Sequence, residues 1–141
     1  MASLINKELS QKVLGAVFSV HNILGPGLLE SAYEGAMVIE LQHLGIPLER
    51  QKVYPVYYKG ELAGAYIADL VVADTIILEL KSVQSLNQTM EAQIINYLRL
   101  SKIPVGYLVN FRNIRVTWSI SETSGLPGSG SFTSGSDAPG R

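Results

Sequence analysis

The sequence predicts a mixed α/β domain in which helices pack against a sheet of parallel and antiparallel strands. Two segments of helical period open the chain, three strand-like segments follow in close succession, and another helical segment precedes two more strands. Strands joined by short turns pair antiparallel, whereas a helical crossover lets the next strand run parallel. This order therefore predicts a mixed central sheet flanked by helices.

The opening segments form two predicted helices. Apolar residues recur at helical spacing from Glu8 to Leu24 and again from about Leu28 to Leu44. The run 25–27, Gly-Pro-Gly, ends the first helix, because glycine suits the left-handed position after a helix and proline cannot continue it. Gly45 and Pro47 end the second helix in the same way.

The middle of the chain changes to a period of two, with aromatic and β-branched residues that favour strands. Turn residues at Lys59-Gly60 and at 73–75 separate three such segments. A nearly all-apolar segment near the end is typical of a buried central strand. The predicted strands are Val53–Tyr58, Glu61–Val72, Ile76–Val83, Pro104–Phe111 and Ile114–Ile120, and a helix is predicted at Gln88–Ser101.

The chain of 141 residues has room for one domain, which we place at residues 1–120. Residues 121–141 are rich in Gly, Ser, Thr and Pro, and this composition predicts a flexible tail. The sequence has no cysteine, which excludes disulfides, thiolate zinc sites and a cysteine nucleophile. It shows no signal peptide and no apolar run long enough for a membrane, so we expect a cytoplasmic protein without membrane contact.

The charge balance limits the kinds of partner. Lys and Arg number 11 against 12 Asp and Glu, which gives a net charge of −1 without any basic block. Nucleic-acid enzymes usually carry a basic footprint that neutralises phosphates. Attraction to nucleic acid would therefore depend on a local patch together with bound metal ions.

Two acidic residues and a lysine stand in the second predicted hairpin. Strand alternation places Glu79 and Lys81 on one face of the third strand. If the turn is centred on Asp74, Asp69 lies directly across from Glu79 with its side chain on the same face. The same alternation predicts an opposite, apolar face formed by Ala68, Leu70 and Val72 on one strand and by Ile76, Leu78 and Leu80 on the other.

Two facing carboxylates inside apolar strands repel each other and call for a compensating charge. A divalent cation such as Mg²⁺, held by Asp69 and Glu79, supplies that charge, and Lys81 would then stabilise negative charge on a phosphate. The alternative is a partly exposed cross-strand salt bridge among the same three residues. The spacing alone leaves both interpretations open.

Further motifs flank the acid pair. They are the segment GLLESAY at 27–33, the segment QIINY at 93–97 and the segment VGYLVNF after it. Together with Asp69 and the run Glu79-Leu80-Lys81, these motifs resemble the GxxExxY protein family, which is named for the first of them and is placed in the PD-(D/E)XK nuclease superfamily. The resemblance covers about residues 8–118.

The resemblance implies a restriction-endonuclease-like αβββαβ core and a catalytic site. Asp69 and Glu79 would be ligands of Mg²⁺ or Mn²⁺, and Lys81 the catalytic lysine. Glu30 would be an additional acid that helps to hold metal or water. Gln93 and Tyr97, four residues apart and therefore on one helix face, would orient the lysine or contact a substrate phosphate.

Three functional hypotheses remain. The first is a divalent-metal-dependent nuclease that hydrolyses nucleic-acid phosphodiester bonds, with DNA as the favoured substrate. The second is a non-catalytic nucleic-acid- or protein-binding module on the same fold, suggested by the near-neutral charge. The third is a nuclease completed by a two-fold homodimer that sets two sites against two strands.

Overall fold

The structure is a computed structural model that describes residues 7–120 and 129–133. It confirms the predicted mixed fold, with six strands in the order β1-β2-β3-β4-β5-β6 and a parallel pairing between β3 and β4. The helices are α1 (Lys7–Leu24), α2 (Glu30–His43) and α3 (Gln88–Ser101). The strands are β1 (Leu48–Tyr58), β2 (Glu61–Val72), β3 (Ile76–Lys81), β4 (Val105–Asn110), β5 (Arg115–Ile120) and β6 (Ser129–Thr133).

One face of the sheet packs against α1 and α2 in the larger of two hydrophobic clusters. The connection between these helices is fixed by Tyr33, which is fully buried and stacks on Phe111 with ring centroids 4.4 Å apart. Its hydroxyl donates to the Gly25 carbonyl at 2.5 Å and accepts from the Leu28 N–H at 3.2 Å. A buried tyrosine with both hydrogen-bond partners is a structural residue, so Tyr33 locks the turn that leads into α2.

The opposite face packs against α3 in the second cluster. Ile94 and Leu98 of α3 are buried, and they lie over Gly106 of the fully buried strand β4. A Cβ atom built on Gly106 would approach Ile94 Cδ1 to 3.0 Å and Leu98 Cδ2 to 3.2 Å. The absence of a side chain at Gly106 therefore sets how closely α3 approaches the sheet.

We expect Gly106→Ala to lower the free energy of unfolding by about 1–3 kcal/mol, because the added methyl group overpacks the contact between α3 and β4. The matched control is Gly35→Ala in α2, where an added Cβ meets nothing within 4 Å. That change should stabilise the helix by up to about 1 kcal/mol. Urea denaturation of both variants measures the difference, and equal stabilities would contradict the packing argument.

Several predicted element boundaries differ from the structure, most of all the start of β1, which lies at Leu48 and not at Val53. Residues 129–133, part of the predicted tail, form β6, which pairs with β5 from Arg115↔Thr133 to Ser119↔Ser129. Main-chain hydrogen bonds to an edge strand hold such a segment without an apolar pattern. The rest of the predicted tail, 121–128 and 134–141, lies outside the described residues. Strand β3 ends at Lys81 instead of Val83, because the Asn110 side chain bonds both the N–H and the carbonyl of Val83.

Along β2, the regular alternation of side chains between the two sides of the sheet is broken between Ala68 and Leu70. Tyr66 and Ala68 of β2 pack in the α3-side cluster, whereas Leu70 packs in the cluster under α1 and α2. The pairing of the two strands is interrupted at this level, at Gln51 and Asp69. Ala68 was predicted to share a face with Leu70, and this prediction was wrong because simple alternation does not hold through the interruption.

Candidate active site

Asp69 and Glu79 face each other where β2 and β3 separate. The paired register of these strands begins at Leu70↔Leu78, one step away from the two acids. Beyond it, the Asp69 N–H donates to Glu79 Oε2 at 2.8 Å, and the Leu80 N–H donates to Asp69 Oδ2 at 2.8 Å. The structure brings Asp69 and Glu79 together across the hairpin, and main-chain amides orient both carboxylates.

The two carboxylates are electrostatically linked. Glu79 is only 8% exposed, and burial, followed by the charge of Asp69, raises its pKa to about 8. Burial likewise raises the pKa of Asp69, while the Leu80 N–H opposes that rise. Neighbouring carboxyl groups in such surroundings hold a proton at neutral pH unless a cation compensates their charge.

Lys81 lies at the end of β3 next to both acids. Burial raises the pKa of Asp69 and the pKa of Glu79, and the positive charge of the Lys81 ammonium lowers both pKa values in opposition to it. The main chain at this position is fixed, since the Lys81 carbonyl accepts from the Phe111 N–H at 2.9 Å. The predicted grouping of the lysine with the two acids is therefore observed.

Helix α3 brings Gln93 and Tyr97 to the Glu79 side of the site. Both line a cavity of about 40 Å³ together with Glu79 and Lys81. Burial and then the charges of Glu79 and Asp69 raise the pKa of Tyr97, which places its phenol within the field of the acid pair. Tyr97 also stacks on Tyr66 with ring centroids 4.0 Å apart, so the residue has a packing role as well.

Asp69 lines a second cavity, of about 250 Å³, under the start of α2. Glu30 lines it too, but its carboxylate is exposed and accepts from the Ser82 N–H at 3.1 Å. Within the described ranges, no three His, Asp or Glu side chains are grouped as a metal cage. Glu30 therefore stands near the acid pair without joining it in one ligand cluster. Lys81 lines both cavities and so connects the two sides of the site.

Three residues near Asp69 were not predicted from the sequence. Glu34 and Gln51 line the same cavity as Asp69, and Arg50 is paired with Glu34 at 3.0 Å. Glu34 stands four residues after Glu30, so its place on the same helix face could have been found. Gln51 and Arg50 gave no comparable signal, because polar residues are ordinary on an exposed strand.

The donors present fit a divalent cation. Asp69 and Glu79 are hard oxygen ligands, and a pair of carboxylates completed by water and substrate oxygens is typical of Mg²⁺ sites. One oxygen of each carboxylate accepts from a main-chain N–H, and the second oxygens, of which Asp69 Oδ1 also accepts from Gln51 Nε2, have further lone pairs with which they would hold a metal. A cation there would replace the proton that the raised pKa values otherwise retain.

The mixed sheet, the αβββαβ core and an acid pair beside a lysine define a restriction-endonuclease-like protein. The chain belongs to the PD-(D/E)XK nuclease superfamily, whose family model matches residues 7–121. A search of curated proteins and a search of solved structures each gave no significant match. In the described part of the chain, no helix has the length and apolar character needed to cross a membrane.

Proposed function

We propose that the protein is a divalent-metal-dependent nuclease that hydrolyses phosphodiester bonds of DNA, and that it belongs to the GxxExxY branch of its superfamily. The observation that supports this most directly is the pairing of Asp69 with Glu79 beside Lys81. Each carboxylate is oriented by a main-chain amide, and the buried pair carries raised pKa values. These are properties of a site that receives a cation.

Each residue has a distinct task in the proposed reaction. Asp69 and Glu79 would hold Mg²⁺ or Mn²⁺, which supplies polarisation of the phosphoryl oxygen and a lower pKa for the attacking water. Lys81 would stabilise the negative charge that develops on the scissile phosphate. Glu30, which lines the same cavity as Asp69, would orient water or an outer ligand of the metal.

Gln93 and Tyr97 are proposed to bind the substrate. Both line the cavity that also holds Glu79 and Lys81, at the opposite side of the site from Glu30. An amide and a phenol can donate hydrogen bonds to phosphate oxygens, and such contacts position a nucleic-acid backbone without selecting its sequence. This matches a chain whose sequence contains no basic block.

The proposal is tested by incubating the purified protein with DNA in Mg²⁺ or Mn²⁺, with and without chelator. We expect cleavage that requires the metal, and we expect Asp69→Asn to abolish it by removing half of the ligand pair. Asp74→Asn is the matched control, because Asp74 lies in the exposed turn of the same hairpin. Failure to cut single- and double-stranded DNA with either metal would contradict the nuclease proposal.

A second candidate is a non-catalytic binding module on the same fold. The net charge of −1 favours it, because such a surface gives little general attraction to phosphates. A binding module whose acid pair is a relic would bind no Mn²⁺ in a titration, whereas one that uses the metal structurally would bind Mn²⁺ without cleaving DNA. A two-fold dimer is a further proposal, and the mass of the protein in solution measures it directly.

A further inference from the structure

Gln51 in β1 has a strained backbone at the level of the acid pair. Its φ is +48°, in the left-handed region that favours glycine. The pairing of β1 with β2 runs through Arg50↔Leu70 and Lys52↔Ala68 but is interrupted between them, where Gln51 stands beside Asp69. Strain of this kind persists only when surrounding contacts fix the residue, and it concentrates at functional sites.

The side chain of Gln51 joins two carboxylates. Its Nε2 donates to Glu34 Oε1 at 2.5 Å and to Asp69 Oδ1 at 3.5 Å. An amide nitrogen carries two hydrogens, so one group can serve both acceptors. Asp69 Oδ1 is the oxygen that the Leu80 N–H leaves unoccupied, because that N–H donates to Oδ2.

Glu34 is itself held in place. Its side chain is only 13% exposed, and Oε2 accepts from Arg50 Nε at 3.2 Å and from Arg50 Nη2 at 3.0 Å. A guanidinium that donates through two nitrogens fixes the direction of a carboxylate. Arg50, Glu34 and Gln51 therefore form a chain of contacts that ends on Asp69.

We propose that Gln51 is a positioning residue, which sets the orientation of the Asp69 carboxylate for the divalent cation and is itself held by the Arg50–Glu34 pair. The inference rests on the proposed metal site. Groups behind metal ligands orient them, and their loss typically weakens metal affinity by about 10- to 100-fold. The positive φ and the contacts with Glu34 and Asp69 occur at the same residue.

The test is Gln51→Gly, measured by Mn²⁺ titration calorimetry and by thermal unfolding without metal. Glycine adopts the positive φ without strain, so a purely structural role for Gln51 predicts unchanged Mn²⁺ affinity. The positioning role predicts an Mn²⁺ affinity about tenfold or more weaker, while the unfolding temperature stays level or rises. Wild-type affinity in this variant would overturn the inference.

Lys59→Gly is the matched control, because Lys59 also has a positive φ, +51°, but lies at the hairpin tip away from the acids. It should keep wild-type Mn²⁺ affinity. If Lys59→Gly weakens Mn²⁺ binding as much as Gln51→Gly does, the effect is general to the hairpin and the inference fails. If wild-type protein binds no Mn²⁺, the proposed function fails as well, which is a different result from an unaffected Gln51→Gly variant.

Arg50→Ala gives a second, independent outcome. Simple electrostatics predicts tighter Mn²⁺ binding, because a positive charge near the site is removed. The positioning role predicts weaker binding, since Glu34 and then Gln51 lose their anchor. Tighter binding by Arg50→Ala would overturn the proposed chain of contacts.

Discussion

Replacing Lys81 with methionine is expected to reduce metal-dependent DNA cleavage about a thousandfold without loss of the fold. Removal of one group that stabilises transition-state charge typically costs about 10²- to 10³-fold in rate. Methionine keeps the apolar stem of the side chain, and the main-chain bond from Phe111 to the residue 81 carbonyl does not involve the ammonium. The rate at saturating DNA should carry most of the loss.

Metal affinity separates this role from damage to the site. The Lys81 ammonium favours the ionised forms of Asp69 and Glu79, but it also repels a cation held between them. We therefore expect Lys81→Met to retain Mn²⁺ binding while losing cleavage. Lys12→Met is the control, since Lys12 is half exposed on α1 and paired with Glu8. Loss of Mn²⁺ binding together with cleavage would argue against a catalytic lysine.

The second large effect is a fall in stability with rising pH when no divalent cation is bound. Burial and the charge of Asp69 raise the pKa of folded Glu79 from 4.5 to about 8. Between these values the folded protein holds a proton that the unfolded chain has released. The stabilisation is therefore complete below about pH 4.5 and is lost as the pH rises through the folded pKa, by up to about 1.4 kcal/mol per pH unit.

Urea denaturation between pH 5 and pH 8, in chelator and in Mn²⁺, measures the slope of the free energy of unfolding against pH. Mn²⁺ should flatten it, because a cation compensates the pair after the proton leaves. Glu79→Gln should flatten it without metal, whereas Glu61→Gln, at the exposed hairpin tip, should keep the wild-type slope. A wild-type slope that Glu79→Gln leaves unchanged would show that the acid pair is not its source.

The sequence predicted those parts of the site that depend on short-range geometry. The turn at Asp74 and the strand period were enough to set Asp69 opposite Glu79, because a hairpin fixes its own register. The spacing of Gln93 and Tyr97 predicted only that they share a face of α3, and the family resemblance implied that this face meets the site; both line a cavity with Glu79 and Lys81. The roles of these residues in catalysis and binding stay predictions.

The features of the site and fold that the sequence did not predict depend on contacts between segments that are distant in the chain. The spacing of Glu30 and Glu34 places both on one face of α2, but that this face lies at the site depends on the packing of α2 against β3, which the sequence does not report. Gln51 has a positive φ without being glycine or asparagine, so its residue type gave no warning of the interruption in β1. The strand at 129–133 was missed because it is held by main-chain pairing to β5 and lacks the apolar alternation that marks buried strands.

The separation of β2 from β3 has a consequence for the origin of the site. In a continuous ladder, the amides of Asp69 and Leu80 would be available to the neighbouring backbone instead of to side chains. Here both amides donate to the acids. The unpaired end of the β2–β3 hairpin thus provides a binding site for carboxylates. Its donors are main-chain N–H groups, which do not depend on the side chains at those positions. A redesign that extended the β2–β3 pairing by two residue pairs would regularise the sheet and remove the main-chain donors that orient the two carboxylates.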